Sequence, residues 1–113
     1  MHELSLCRAI ADTARDHADG RRVSTVVVRI GHLRQVVPDT LRFCWGIVVE
    51  GGEFEGAELV IEHVPAVVAC RPCGARTTIE RPVMRCSLCD STDVDLESGD
   101  EFLVACIDVL EVC

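Results

Sequence analysis

The chain has 113 residues, of which 49% are hydrophobic and 8 are cysteines, and its formal net charge is −8. A chain of this length can bury one hydrophobic core, so we expect one main domain with at most a small appendage. The acidic balance disfavours nucleic acid as a main partner because phosphate backbones are also negative, and no apolar run approaches the roughly 20 residues that span a membrane.

The segment from Leu4 to about Ala18 has the periodicity of an amphipathic helix. Its predicted apolar stripe, which should face a sheet, consists of Leu6, Ile10, Thr13, Ala14 and His17. The next segment, STVVVRIGHL, is rich in β-branched residues. It predicts a strand on which Val26, Val28 and Ile30 share one face.

Pro38 is well suited to the first position of a second helix, in which Leu41, Cys44, Trp45 and Val48 follow helical spacing. The segment GAELVIEHV then alternates as a strand. A strand, a helix and a strand in this order favour a right-handed parallel crossover. The late segment EFLVACIDVLEV predicts a further strand that rejoins the same sheet.

Residues 66–98 break this pattern with prolines, paired cysteines and short polar runs, and we interpret them as an inserted metal-binding module. The predicted fold class is therefore α+β. We expect a small mixed three-stranded sheet with two helices, interrupted by a zinc-ribbon-like four-cysteine lobe. Residues 1–65 and 99–113 are predicted to form the α+β domain, and residues 66–98 the inserted domain.

The stretches CRPCG and CSLC place Cys70, Cys73, Cys86 and Cys89 in two Cys-x-x-Cys turns. Two such turns can direct four thiolates at one point, which suits structural zinc best, with mononuclear iron as the main chemical alternative. The first residues lack the basic flank and apolar run of a signal peptide, so we expect a cytoplasmic protein with reduced thiols. On this ground, two disulfides or four separate core thiols are disfavoured for these cysteines.

Four thiolates around a divalent cation carry a double negative charge. We expect the nearby arginines to offset it, and these are Arg71, Arg76, Arg81 and Arg85. The cysteines within predicted helices and strands, Cys7, Cys44 and Cys106, are interpreted as small buried core residues.

The opening residues, MHELSLC, carry a second candidate metal site. The terminal amine, the His2 amide nitrogen and the His2 ring can bind one ion together by closing a five-membered and then a six-membered chelate ring. These donors favour Ni(II) or Cu(II) in square-planar geometry, and Glu3 can supply the fourth donor through its amide nitrogen or its carboxylate. The alternative is a frayed chain start, with Glu3 placed favourably near a helix N-terminus.

The motifs MHELSLC, VVVRIGHLRQVVPDTLRF, EGAELVIEHVP, CRPCG, CSLC and SGDEFLVACIDV follow one another along the whole chain. Together they resemble the HypA/HybF nickel metallochaperones, which deliver nickel for hydrogenase maturation and sometimes for urease. The resemblance implies nickel at Met1, His2 and Glu3, and structural zinc at Cys70, Cys73, Cys86 and Cys89. One departure is His32, which stands where many relatives carry glutamate, and this leaves open an auxiliary role in nickel binding.

The resemblance implies a non-catalytic carrier that passes Ni(II) to a hydrogenase large-subunit precursor, with a HypB-type GTPase as a partner. Residues 1–65 and 99–113 would then bind nickel, and residues 66–98 zinc. A zinc-ribbon adaptor without nickel function is the alternative. A metalloenzyme is disfavoured because the cysteine site is closed and no acid–base pair stands out. The sequence leaves open whether the chain is a monomer or a homodimer.

Overall fold

The structure is a computed structural model that describes residues 3–110. Its helices are α1 (Glu3–Ala18) and α2 (Pro38–Val49), with a short 3-10 helix at His32–Arg34. Its strands are β1 (Arg22–Gly31), β2 (Glu58–Val64), β3 (Ala66–Cys70), β4 (Arg76–Ile79), β5 (Val94–Ser98) and β6 (Phe102–Leu110). Among these residues, no helix combines the length and the hydropathy that a membrane crossing needs.

The described residues divide into two compact units. The first unit contains residues 3–29, 36–62 and 103–110, and the second contains residues 30–35 and 63–102. The predicted insertion, residues 66–98, falls within the second unit. The 3-10 helix after β1 also groups with the second unit, although it lies far from the insertion in sequence.

Strand β1 is the central strand of a three-stranded sheet with the order β2-β1-β6. At one end of β1, the Gly31 amide donates to the Glu101 carbonyl at 2.7 Å. Near the other end, the Ser24 hydroxyl donates to the Asp108 carbonyl at 3.2 Å. Residue numbers therefore rise along β1 as they fall along β6, which is the antiparallel arrangement.

Strands β1 and β2 run in the same direction. Arg29 pairs with Glu62 at 3.0 Å, and His32, directly after β1, contacts His63 at 3.0 Å. Later residues of one strand thus meet later residues of the other, as in a parallel pair. With β6 antiparallel, the sheet is mixed, and the predicted α+β class with a mixed three-stranded sheet is confirmed.

The predicted common face of Val26, Val28 and Ile30 in β1 is confirmed, and all three residues are buried. The predicted stripe of α1 is partly wrong, because Thr13 and His17 are exposed. The helix instead buries mostly small side chains, which are Cys7, Ile10, Ala11, Ala14 and Ala18. Small residues allow the helix backbone to approach its neighbours closely. The observed buried stripe therefore differs from the predicted one.

Helix α2 buries Leu41, Trp45 and Val49, which follow one another at helical spacing. The Trp45 indole N–H donates to the Ala57 carbonyl at 2.9 Å, so its polar atom is satisfied inside the core. The buried Cys7 thiol of α1 contacts the Leu41 carbonyl at 3.3 Å. The contact of Cys7 with Leu41 joins α1 to α2 within the first unit.

The second unit contains its own sheet, with the order β4-β3-β5. Strand β3 pairs antiparallel with both neighbours. Its small core buries Ala66, Val68 and Ile79, against which Leu33, Val94 and Leu96 pack. The three short strands were not predicted from the sequence, because each has only 4 or 5 residues.

Two glycines of the second unit lie at positions where a side chain has no room. A Cβ atom on Gly31 would lie 2.1 Å from the Gly99 carbonyl carbon, and one on Gly99 would lie 2.3 Å from the Ala66 Cα. Gly99 also has a φ of +107°, which L side chains rarely adopt. This close approach places the 3-10 helix after β1 beside the start of β3.

We expect Gly99→Ala to lower the free energy of unfolding by on the order of 3 kcal/mol or more, from backbone strain and steric overlap. Denaturant unfolding of zinc-loaded protein measures this change. The matched variant is Gly46→Ala in α2, where a Cβ would meet nothing within 4 Å. This variant should raise stability by roughly 0.5–1 kcal/mol, because alanine favours helix interiors. Equal effects of the two substitutions would contradict the close approach.

Candidate metal centre

The first Cys-x-x-Cys turn begins at Cys70, the last residue of β3. The Gly74 amide donates to the Cys70 carbonyl at 2.9 Å, and the Cys70 amide donates to the Ala75 carbonyl at 2.8 Å. Gly74 has a φ of +74°, a left-handed conformation that glycine adopts without strain. The chain therefore reverses tightly and keeps Cys70 and Cys73 on the same side.

The second turn repeats this arrangement. The Asp90 amide donates to the Cys86 carbonyl at 3.0 Å, and the Cys86 amide donates to the Ser91 carbonyl at 2.9 Å. Asp90 takes the left-handed position, with a φ of +64°, which aspartate tolerates better than most residues. The likeness of CRPCG and CSLC in sequence thus reflects two turns with the same hydrogen-bond pattern.

The two turns bring the four Sγ atoms of Cys70, Cys73, Cys86 and Cys89 within 4.8 Å of one another. Two of the separations are 3.5 Å, from Cys70 to Cys89, and 3.6 Å, from Cys73 to Cys86. A tetrahedron with zinc–sulfur bonds of about 2.3 Å has edges of about 3.8 Å. The cluster therefore has the donors and the size of a closed four-thiolate zinc site.

The predicted convergence of these four cysteines is confirmed. No other set of three or more cysteine, histidine, aspartate or glutamate side chains within residues 3–110 could share an ion. All seven cysteines in this range are free thiols, so the disfavoured pair of disulfides does not occur here. Cys70 and Cys86 are buried, whereas Cys73 and Cys89 are exposed, so one side of the cluster is open to an entering ion.

Two thiols of the cluster have pKa values shifted in opposite directions. Hydrogen bonds from the amides of Cys89 and Leu88 lower the pKa of Cys86 to about 6. The Cys73 amide also lowers the pKa of Cys70, but burial and hydrogen bonds to neighbouring thiols raise it overall to about 12. An ion that binds all four thiols must displace the protons that they carry.

Three of the four arginines near the cluster form ion pairs with carboxylates of the second unit. Arg71 forms ion pairs with Asp93 and Asp95. Arg76 pairs with Glu97 at 2.8 Å, and Arg85 with Asp90 at 3.4 Å. The Leu88 amide, 3.4 Å from the Cys86 Sγ, stabilises the thiolate form of Cys86.

The predicted nickel ligands Met1 and His2 lie outside the described residues. Glu3 is the first residue of α1 and is half-buried. Of the other cysteines, Cys7 is buried as predicted, and burial raises its pKa to about 12. The prediction of a buried Cys106 is wrong, because this residue lies on the exposed face of the edge strand β6.

Comparison with known proteins gives matches over the full length of the chain. The family model described as "Hydrogenase/urease nickel incorporation, metallochaperone, hypA" matches residues 1–109. The hydrogenase maturation factor HypA of Trichormus variabilis is 38% identical over 113 residues, which are 100% of this chain and 99% of that protein. The corresponding protein of Chloroflexus aurantiacus is 44% identical over 105 residues, covering 89% of this chain and 92% of its own.

The fold also matches a solved structure. The solution structure of the nickel metallochaperone HypA from Helicobacter pylori aligns with a TM-score of 0.67. The alignment covers 97% of this chain and 98% of that one at 20% sequence identity. At this identity the likeness concerns the fold alone.

Proposed function

The chain belongs to the HypA family of hydrogenase/urease nickel-incorporation metallochaperones, and on this basis we propose that it binds Ni(II) at its N-terminus and delivers it to a hydrogenase large-subunit precursor. The observation that carries the proposal is the full-length family match together with the MHE start. We assign nickel binding to Met1, His2 and Glu3. A HypB-type GTPase is the proposed partner, and transfer takes place in the cytoplasm by ligand exchange, without catalysis by this chain.

The position of Glu3 supports this assignment. Helix α1 begins at Glu3, and the first four N–H groups of a helix have no intrahelical acceptor. A metal ion can therefore take the Glu3 amide nitrogen as a ligand without breaking a helical hydrogen bond. A deprotonated amide is negative, and the positive end of the helix dipole stabilises it there.

We propose that the four-cysteine cluster holds zinc with a structural role. Four soft thiolates in a tetrahedral arrangement fit zinc, and they leave no position for water or substrate. The cluster lies within the second unit, residues 30–35 and 63–102. Zinc there would stabilise this unit, while nickel is the cargo that the N-terminus binds and releases.

His2→Ala should weaken nickel binding by about hundredfold or more, because it removes one arm of the chelate. It should leave the zinc content unchanged, since thiolates and an amine–amide–imidazole set are separate ligand sets. Titration of zinc-loaded protein with Ni²⁺, with metal content measured by mass spectrometry, tests both expectations.

The matched control is His17→Ala. His17 is an exposed histidine of α1, and its ring contacts the Thr13 carbonyl at 2.9 Å. This variant should bind nickel as the unmodified protein does. Unchanged nickel affinity in His2→Ala would exclude the N-terminal site, and it would favour a zinc-ribbon adaptor that takes up no cargo there.

A further inference from the structure

Two histidines that are 31 residues apart in sequence meet in the second unit. The His32 Nδ1 lies 3.0 Å from the His63 Nε2. The two rings are nearly perpendicular, with an interplanar angle of 84° and centroids 5.1 Å apart. His32 is half-buried and His63 is exposed, so solvent reaches the pair.

The contacts of His32 define which ring nitrogens carry protons. Its Nε2 lies 2.7 Å from the Glu80 carbonyl, and a carbonyl can only accept, so the His32 Nε2 carries the proton. The His32 Nδ1 of a neutral ring then has a free lone pair, to which the His63 N–H donates. Metal-binding histidines commonly have this arrangement, in which the second ring nitrogen donates to a backbone carbonyl and fixes the ring.

The backbone on both sides of the pair is held by hydrogen bonds. The Leu33 amide donates to the Gly99 carbonyl at 2.8 Å, and the Arg34 side chain donates to the Asp100 carbonyl at 2.8 Å. His63 belongs to β2, and two residues later the Pro65 carbonyl accepts from the Ser98 hydroxyl at 2.8 Å. The two side chains therefore extend from backbone positions that are held in place, which favours chelation over binding by separate side chains.

We propose that His32 and His63 chelate a divalent transition-metal ion through ligands other than the N-terminal donors and the four cluster cysteines. Two nitrogens at right angles around a metal, each with a bond of about 2.1 Å, lie about 3.0 Å apart. Binding needs a turn of the exposed His63 ring and transfer of its proton from Nε2 to Nδ1, so no net proton is released. Imidazole ligands suit nickel, copper and zinc ions, and water completes the coordination.

The test uses zinc-loaded protein in which a Gly-Ser extension and His2→Ala have removed the N-terminal site. Of the 4 histidines in the chain, His17, His32 and His63 then remain. Paramagnetic Ni²⁺ should broaden the ring NMR signals of His32 and His63 together, at concentrations that leave those of His17 unchanged. In this background, His32→Gln or His63→Gln should each weaken nickel binding by about hundredfold, because the single imidazole that remains cannot chelate the ion.

The double variant should lose the remaining imidazole as well, so the binding that is left should not exceed that of a separate histidine such as His17. His17→Gln is the matched control and should have no effect. Zinc content and far-UV circular dichroism establish that each variant is folded, and His63→Gln leaves the contact between His32 and Glu80 intact. The proposal would be overturned if Ni²⁺ did not broaden the ring signals, or if it broadened those of all three histidines equally. The contact between the two rings would then be a hydrogen bond alone. Because the N-terminal donors are absent throughout, this result is independent of the proposed delivery function.

Discussion

Cys86→Ala is expected to release zinc and to unfold the second unit. Cys86 is 1% exposed, and it is the thiol with the lowered pKa of about 6 in the cluster. Metal binding at a structural four-thiolate site also contributes folding free energy, on the order of 10 kcal/mol. The rest of this unit cannot replace that contribution, because the hydrophobic core of its sheet buries just Ala66, Val68 and Ile79.

Two measurements check this expectation. Metal analysis should find less than one zinc per chain, and amide hydrogen exchange should accelerate across residues 63–102, whereas α1 and α2 should remain protected. Cys106→Ala is the matched control, since it removes an exposed thiol outside the cluster, and it should keep zinc and protection unchanged. A Cys86→Ala protein with a full zinc equivalent and native exchange rates would show that the cluster does not stabilise this unit.

Adding Gly-Ser before Met1 is expected to abolish tight nickel binding without changing any side chain. His2 and Glu3 remain, but the free amine moves two residues away, so the five-membered ring between the amine and the His2 amide cannot close. A planar nitrogen field requires those donors. We therefore expect the extended protein to keep its zinc, to bind Ni²⁺ about 10²-fold more weakly or worse, and to have a changed visible spectrum.

The pH dependence provides a second measurement on the same pair of proteins. A terminal amine has an ordinary pKa of about 7.7–8.0, and it must lose its proton to bind a metal. Nickel affinity of the unmodified protein should thus fall as the pH is lowered from about 8 to about 6, and more steeply near the histidine pKa of about 6.5. In the extended protein the amine is no longer a ligand, so its protonation should not lower the nickel affinity. The same affinity, spectrum and pH profile in both proteins would show that MHE is an ordinary start of α1.

Local patterns allowed the most reliable predictions. The buried face of β1 follows from strict alternation, because Val26, Val28 and Ile30 need only their own strand to share a side. The cysteine cluster follows from spacing, since a two-residue gap can close as one turn whatever surrounds it. Both features depend on residues that are close in sequence, and the structure confirms both.

Features that depend on tertiary contacts were missed. The ion pairs of Arg71 with Asp93 and Asp95 depend on the pairing of β3 with β5, which strands of 5 residues do not reveal. The contact between His32 and His63 depends on β1 and β2 lying side by side. The available signal was a histidine near the end of each of two predicted strands. It becomes informative only once a parallel crossover brings the two ends together.

Strand β6 has a consequence for the order of events during protein synthesis. Because β6 is the last described strand and lies beside β1, the first sheet stays incomplete until this segment leaves the ribosome. All four cluster cysteines precede β6, and Cys70 and Cys89 are just 19 residues apart. Contacts over such short separations form early. Zinc at the proposed site would therefore bind a nascent chain whose first sheet is still incomplete.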